Sequence, residues 1–315
     1  MAITEIPKSI QDELKILKND LDINIPAKKF DKNLLMATWN IKDFGGLNEK
    51  WNPAKSESPK RDLHSLHCIK EIVSRFDIVA VQEVTGNLKA LRHLMKLLGT
   101  HWSFLLTDNN SSDIGGGERF AFLFDTRKVK LSGLACEITI PDQYLKTNKY
   151  NLNRQFARSP YGVGFSVYGN TFVLLALHIY YGDSTKDRLG ELSGIARWAK
   201  EWALELNSWD HSLFVLGDFN IERKDDPAHK AFTSTGLYTP AELESPTRGI
   251  AETKTNFYDQ ISWFKSKKQD NISMKFINGG SYNFKNKVLL TRNYKSTDLQ
   301  WRLSDHLPLW AEFRT

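Results

Sequence analysis

Five short apolar runs in this chain each meet a residue with a reactive side chain. Residues 34–39 run into Asn40, and residues 78–81 lead to Glu83. Residues 172–177 end at His178, and residues 213–216 lead through Gly217 to Asp218 and Asn220. The fifth run, residues 307–310, follows directly on Asp305-His306. Runs of this length suit buried strands. A polar residue at the end of such a strand is partly desolvated and rigidly held, which suits metal ligation and shifted ionisation. Singly, each has an ordinary structural use as a turn residue, a helix cap or a hydrogen-bonded histidine. Chance explains all of them together less well than any one. Pro308 adds a further restraint, because it confines Leu307 to extended backbone.

The rest of the chain alternates groups of strands with isolated helices. Ser9 can cap a helix over residues 10–18, with Ile10, Leu14 and Leu17 on one face. Pro26 and Lys28-Lys29 mark a connector, so residues 1–33 read as an N-terminal helical extension and 34–315 as the main domain. Helical spacing recurs over 63–76, over 87–98 ahead of Gly99, and over 186–206. Strands are expected at 34–41, 77–84, 102–106, 119–124, 129–140, 162–168, 171–178, 213–216, 258–264, 275–277, 288–290 and 309–313, with a loop at 42–62. Gly115-Gly116-Gly117 lacks the Lys-Ser/Thr of a phosphate loop and reads as a hairpin turn, as does Tyr168-Gly169. No internal repeat is visible. Helices between groups of strands predict an α/β sandwich of two mixed, mostly antiparallel sheets, not a doubly wound parallel one.

At 315 residues and 41% hydrophobic content the chain can bury a large core. No run approaches the ~20 apolar residues of a membrane span. The N-terminus carries Glu5, Asp12 and Glu13 and no apolar stretch, so no secretory leader is expected. Cys68 and Cys136 are too few for a disulfide framework and read as reduced core residues of a cytoplasmic protein. The net charge of +6 tilts the expected substrate toward a phosphate-bearing polyanion. A monomer is the default expectation.

The ordered set of short motifs resembles the endonuclease/exonuclease/phosphatase superfamily, over about residues 34–313. The matching pieces are Trp39-Asn40-Ile41, Val81-Gln82-Glu83-Val84, Glu118-Arg119, Phe156-Ala157-Arg158-Ser159-Pro160, Leu177-His178, Gly217-Asp218-Phe219-Asn220, Tyr258-Asp259 and Ser304-Asp305-His306-Leu307-Pro308. The resemblance implies a four-layer α/β/β/α sandwich. It implies that Glu83, Asn40 and Asp305 hold a divalent cation, Mg²⁺ or Mn²⁺ given all-oxygen donors. It casts Asp218 and Asn220 as orienting water and binding phosphate. His306 would act as a general base or bind the scissile phosphate, oriented by Asp259. His178 would be a second imidazole paired with Glu118, and Arg158 would hold a phosphate oxygen.

Within that superfamily, Glu118-Arg119-Phe120, Arg158 and Tyr258-Asp259 look most like the deoxyribonuclease I branch, which implies a metal-dependent DNA endonuclease. Thr85 stands where that branch has a groove-entering Arg, and Gly116 where it has an aromatic residue. A loop with Lys42, Lys50, Lys55, Lys60 and Arg61 could supply phosphate contacts instead. The differences keep a phosphatase or a sphingomyelinase-like phospholipase open, and more remotely a non-catalytic binding module.

Overall fold

The computed structural model describes residues 5–108, 116–146, 150–207, 211–251, 256–265 and 270–315. The chain opens with α1 (Lys8–Asn24), β1 (Asn33–Phe44), α2 (Leu63–Val73), β2 (Ile78–Val84), α3 (Lys89–Leu98), β3 (Trp102–Leu106) and β4 (Arg119–Asp125). A second series follows: β5 (Lys130–Glu137), α4 (Asp142–Leu145), β6 (Tyr161–Val167), β7 (Asn170–His178), α5 (Thr185–Asn207), β8 (His211–Ile221), α6 (Pro227–Thr233), β9 (Leu237–Tyr238), α7 (Ala241–Glu244) and β10 (Phe257–Phe264). The chain closes with β11 (Lys275–Ser281), α8 (Ser296–Leu299) and β12 (Leu309–Arg314).

The strands form two six-stranded sheets, ordered β11-β12-β1-β2-β4-β3 and β5-β6-β7-β8-β10-β9. The orders correspond position by position. Each sheet has one parallel pair at its centre, β1 with β2 and β7 with β8, joined through a helix. Every other pairing is antiparallel. The two halves therefore share one topology that their sequences do not betray. β11 and β12 come from the end of the chain and complete the first sheet.

Three apolar layers explain the four-layer sandwich. Between the sheets, Leu34, Met36, Phe122, Phe172, Phe214, Trp263 and Phe313 are buried together. The Phe214 ring lies 4.9 Å from Phe313 and 6.0 Å from Trp263. The alternate residues of β1, namely Leu35, Ala37, Trp39 and Ile41, face the opposite way and pack against α1, α2 and α3. A third cluster puts Leu175, Leu177 and Val215 under α5 and α6. Central strands buried on both faces read as continuous apolar runs, which is the pattern of residues 34–41 and 213–216.

Several sequence expectations shift. The first helix runs to Asn24, not Lys18, and Pro7, not Ser9, occupies its N-cap. Leu21 extends the apolar face by another turn and is fully buried. β1 continues to Phe44 and so takes up the start of the expected 42–62 loop. The strand expected at 288–290 is instead the entry to a 3₁₀ turn, Leu290–Arg292. Glu13 of α1 accepts hydrogen bonds from the Leu290 and Thr291 N–H groups at 2.7 and 3.1 Å, so those donors are not free for a strand partner. Gly116 and Gly117 have φ near +67°, as a turn requires, and β3 pairs antiparallel with β4; Gly115 lies outside the described residues. Cys68 is buried, whereas Cys136 is only half-buried. Among the described residues, no helix is long and apolar enough to cross a membrane.

Glu13 also faces His64 at 3.4 Å, in a pocket where His64 is 1% exposed. Burial pushes the imidazole down to about 4, against the pull of Glu13. A histidine depressed in the folded state resists a proton that the unfolded chain takes up below about 6.5, so stability falls as pH drops from 6.5 toward 4. His64→Gln is expected to flatten that dependence by about 1–2 kcal/mol at pH 5, measured by denaturant titration at pH 5 and 7.

Candidate active site

Strand register does most of the assembly. In the second sheet His178 of β7 lies opposite Asp218 of β8, and Asp218 lies opposite Asp259 of β10. Three reactive side chains thus sit abreast on adjacent strands. β8 can approach β7 here because residue 217 is glycine: its φ is +130°, and a Cβ would fall 2.0 Å from the Leu177 carbonyl oxygen. In the first sheet Asn40 ends the regular pairing of β1 with β2, where the register shifts. Glu83, one residue past the Asn40 partner Gln82, has left-handed backbone at φ +60°, and Asn220 has φ +50°. Such conformations cost of order 1–3 kcal/mol for a non-glycine residue and gather where geometry is over-determined.

The two sheets meet through Asn40. Its Nδ2 donates to Glu83 Oε1 at 2.8 Å and to Asp218 Oδ2 at 3.1 Å. Both acceptors are carboxylates, so the amide nitrogen has to face them. That leaves Asn40 Oδ1 buried with no hydrogen-bond partner. An orphaned oxygen beside two acids fits a hard cation, and so does the donor chemistry of Glu83, Asn40 and Asp305. Asp305 currently takes the Lys42 ammonium at 2.6 Å.

Two imidazoles converge on the same oxygen. His306 Nε2 is 3.7 Å and His178 Nε2 3.8 Å from Asp218 Oδ2. Each ring is backed by an acid at Nδ1: Asp259 at 2.8 Å for His306, Glu118 at 2.9 Å for His178. Arg158 forks onto Glu118, with Nε 2.7 Å from Oε2 and Nη2 3.0 Å from Oε1. Glu83, Glu118, Arg158 and His178 line one narrow crevice. Asn220 N donates to Asp218 Oδ1 at 2.9 Å, and its Nδ2 to the Ile179 carbonyl at 2.7 Å.

Ionisation follows from these contacts. Burial opposes a charge on His306, but Asp259 and Asp218 outweigh it and hold the imidazole well above its usual 6.5. Burial pushes Asp259 up to about 6, against the opposing charge of His306. Burial would also raise Asp218, yet His306, His178, the Asn220 N–H and the Asn40 amide bring it below the usual carboxylate range. Glu118 is likewise lowered against its burial, by His178 and Arg158. Near neutrality Asp259 and His306 therefore form an ion pair. Asp218, Asp259 and His306 offer ligand atoms within 4.8 Å of one another. Because Asp259 is engaged at Nδ1, that trio reads as an oriented histidine and its acids rather than as a chelate.

The sequence pattern overlooked the groups that brace this site. Ser304 Oγ donates to the Asn40 carbonyl at 2.6 Å and accepts from His306 N at 3.0 Å, tying the 304–306 corner to β1. Trp39 Nε1 donates to the His306 carbonyl at 2.9 Å. Arg248, with no exposed surface, donates to the Asp259, Pro246 and Leu243 carbonyls. Its own carbonyl accepts from Leu307 N at 2.6 Å. Arg188 donates to the Asn220 and Tyr181 carbonyls at 2.7 Å each. Arg61 is buried, which removes it from the expected surface loop; it donates to the Lys42, Asp43, Arg302 and Leu303 carbonyls. The loop lysines are also engaged: Lys50 with Glu57 at 2.7 Å, and Lys55 with Asp298 at 3.4 Å. The residues beside these arginines, Lys60 and Asp62, Asp187 and Leu189, and Thr247 and Gly249, carry no signal for this use.

Two mixed sheets back to back, with paired imidazoles and acids at the seam, define a class of phosphate-ester hydrolases. The comparisons specify the family. The model of the Endonuclease/Exonuclease/phosphatase family matches residues 37–265, and the chain belongs to that family. A deoxyribonuclease of Thioalkalivibrio sp. (strain K90mix) is 28% identical over 238 residues, covering 73% of this chain and 57% of that protein. The chain thus spans little more than half the length of that relative. Among solved structures, an endonuclease/exonuclease/phosphatase family protein from Bacteroides thetaiotaomicron superposes with a TM-score of 0.61 at 19% identity, covering 91% of this chain and 96% of that one. The B. thetaiotaomicron mannosyl-6-phosphatase Bt3783 gives 0.60 at 17%, over 89% and 99%. TDP2 of D. rerio, complexed with single strand DNA product, gives 0.57 at 15%, over 90% and 100%.

Arg248→Leu is expected to leave two buried carbonyls, of Asp259 and Leu243, and the part-buried carbonyl of Pro246 short of a donor. At roughly 1–3 kcal/mol for each unsatisfied group, the variant should unfold at clearly lower denaturant concentration. An unchanged midpoint would mean that other donors take over.

Proposed function

We propose that this chain is a divalent-cation-dependent phosphodiesterase that cleaves nucleic acid, with DNA as its substrate. One observation carries the reading: two acid-backed imidazoles converge on Asp218 Oδ2, beside a buried amide oxygen that has no partner. Simple structural histidines do not need that arrangement. The nucleic-acid part is supported by the deoxyribonuclease relative, by the neighbour complexed with single strand DNA product and by the net charge of +6. Residues 34–315 form the catalytic domain in this reading, and 1–33 an extension whose helix packs on it.

Glu83, Asn40 and Asp305 would hold the cation, Mg²⁺ or Mn²⁺. When bound there it supplies Lewis-acid stabilisation of charge developing on the phosphate. The protein groups have separate parts. Asp218, kept ionised, orients a water for in-line attack, helped by Asn220. His306, charged through Asp259, meets the negative phosphate oxygens. With Glu118 Oε2 2.9 Å from its Nδ1, His178 keeps Nε2 to exchange a proton at the reacting oxygens. Arg158 forks onto Glu118 and can share its outer donors with a phosphate oxygen.

Nicking of supercoiled plasmid in Mg²⁺ tests the reading. Wild type should nick, EDTA should stop it, and His178→Ala and His306→Ala should each lower the rate by about 10²–10⁴. Nicking that persists in both variants would overturn the site. Turnover of a sugar phosphate or sphingomyelin without nicking would favour a phosphatase or phospholipase. Asn40→Ala should raise the Mg²⁺ concentration needed for half-maximal nicking more than it lowers the rate at saturating Mg²⁺.

A further inference from the structure

Trp301 stands just ahead of the 304–306 corner and is 47% exposed. It walls a cleft of about 290 Å³ shared with Asp43, Gly46, Ser58, Pro59, Lys60 and Arg61. The cleft adjoins the candidate metal residues. The Lys42 ammonium lies 4.8 Å from the Trp301 ring centroid and 2.6 Å from Asp305 Oδ2, so one cation touches both. An indole left open to water at that place forfeits burial that a core residue would have gained.

The segment that carries the ring is firmly held. Arg61 donates to the carbonyls of Arg302 and Leu303 and, from the other side, to those of Lys42 and Asp43. Arg302 stacks on Tyr294 at 4.0 Å and donates to the Asp298 carbonyl at 3.0 Å. The segment carrying Trp301 and the end of β1 carrying Asn40 therefore move together. The electrostatics of the cleft favour an anion: Lys60 and Arg61 line it against a single acid, Asp43. Lys60 donates to the Lys55 and Glu57 carbonyls and, among the described residues, has no carboxylate within 4 Å.

The geometry points to Trp301 as a stacking platform for an unpaired base next to the scissile phosphate, with Lys60 and Lys42 beside the backbone of a single-stranded polynucleotide. The inference rests on the phosphodiesterase reading and adds the form of the substrate. A fixed, exposed aromatic face beside cations is how proteins hold single strands, because a base in a duplex has no free face to offer. Such a platform is a specificity-determining feature and takes no part in bond breaking.

Binding of fluorescein-labelled single-stranded and duplex oligonucleotides to the His306→Ala protein, with and without Trp301→Ala or Trp301→Phe, provides the test. Trp301→Ala should weaken single-strand binding at least about fivefold, Trp301→Phe should restore most of it, and duplex binding should change less. A 2-aminopurine next to the phosphate should be quenched by the His306→Ala protein and by its Trp301→Phe form but not by its Trp301→Ala form. The quenching also serves if Trp301→Ala folds poorly. Equal losses for single strand and duplex, or unaltered single-strand binding, would overturn the platform. If His178→Ala and His306→Ala still abolish nicking, the phosphodiesterase reading survives that loss. A wild type that neither binds nor cuts any oligonucleotide overturns both.

Discussion

Asp218 is a buried carboxylate on which both halves of the molecule depend. It is 1% exposed, and water contributes almost nothing to its charge. Stability has to come from neighbours: two imidazoles, the Asn220 N–H and the Asn40 amide. Asn40 belongs to the first sheet and Asp218 to the second. That hydrogen bond of 3.1 Å joins the Asp259–His306 and Glu118–His178 contacts in tying the sheets together at their reactive edge. A hydrogen bond to a charged group is typically worth about 1.5–3 kcal/mol, so the packing of the sheets and the chemistry of the seam are not separable.

Around that carboxylate the protein repeats one device. An arginine with its charge buried spends its donors on backbone carbonyls of the loops that carry reactive groups. Arg61 serves the end of β1 and residues 302–303, Arg188 serves Asn220, and Arg248 serves Asp259. Backbone carbonyls at loop ends lack ladder partners and would otherwise need water. A guanidinium supplies several donors in a fixed plane, so it satisfies several carbonyls and fixes their spacing. The loops then behave as rigid parts of the scaffold, as a preformed site requires.

How far the sequence could be read follows from the same physics. Apolar runs ending in acids, amides and imidazoles single out Asn40, Glu83, His178, Asp218 and His306, and strand register gathers them. The two-sheet architecture is legible because helices separate groups of strands. The bracing arginines were not legible, because arginine is usually a surface residue and its partners here are backbone atoms far away in sequence. The 3₁₀ turn at Leu290–Arg292 was missed for a similar reason: its amides answer to Glu13, 277 residues earlier. The repeated sheet order left no trace in sequence because topology constrains only which positions are apolar, and many side chains satisfy that.

The return of the chain to its first sheet has a consequence for biosynthesis. β12 lies between β11 and β1, so the first sheet has an unpaired edge at β1 until the final strand arrives. The loop that leads into that strand carries Asp305 and His306. A nascent chain can complete the sheet built from β5 to β10 while the other still waits. Sheet closure and delivery of the last reactive pair are then a single late event, reached only after contacts of very long sequence separation have formed. In the reading proposed above, the site is complete only once β12 has paired with β1 and brought Asp305 and His306 to the seam.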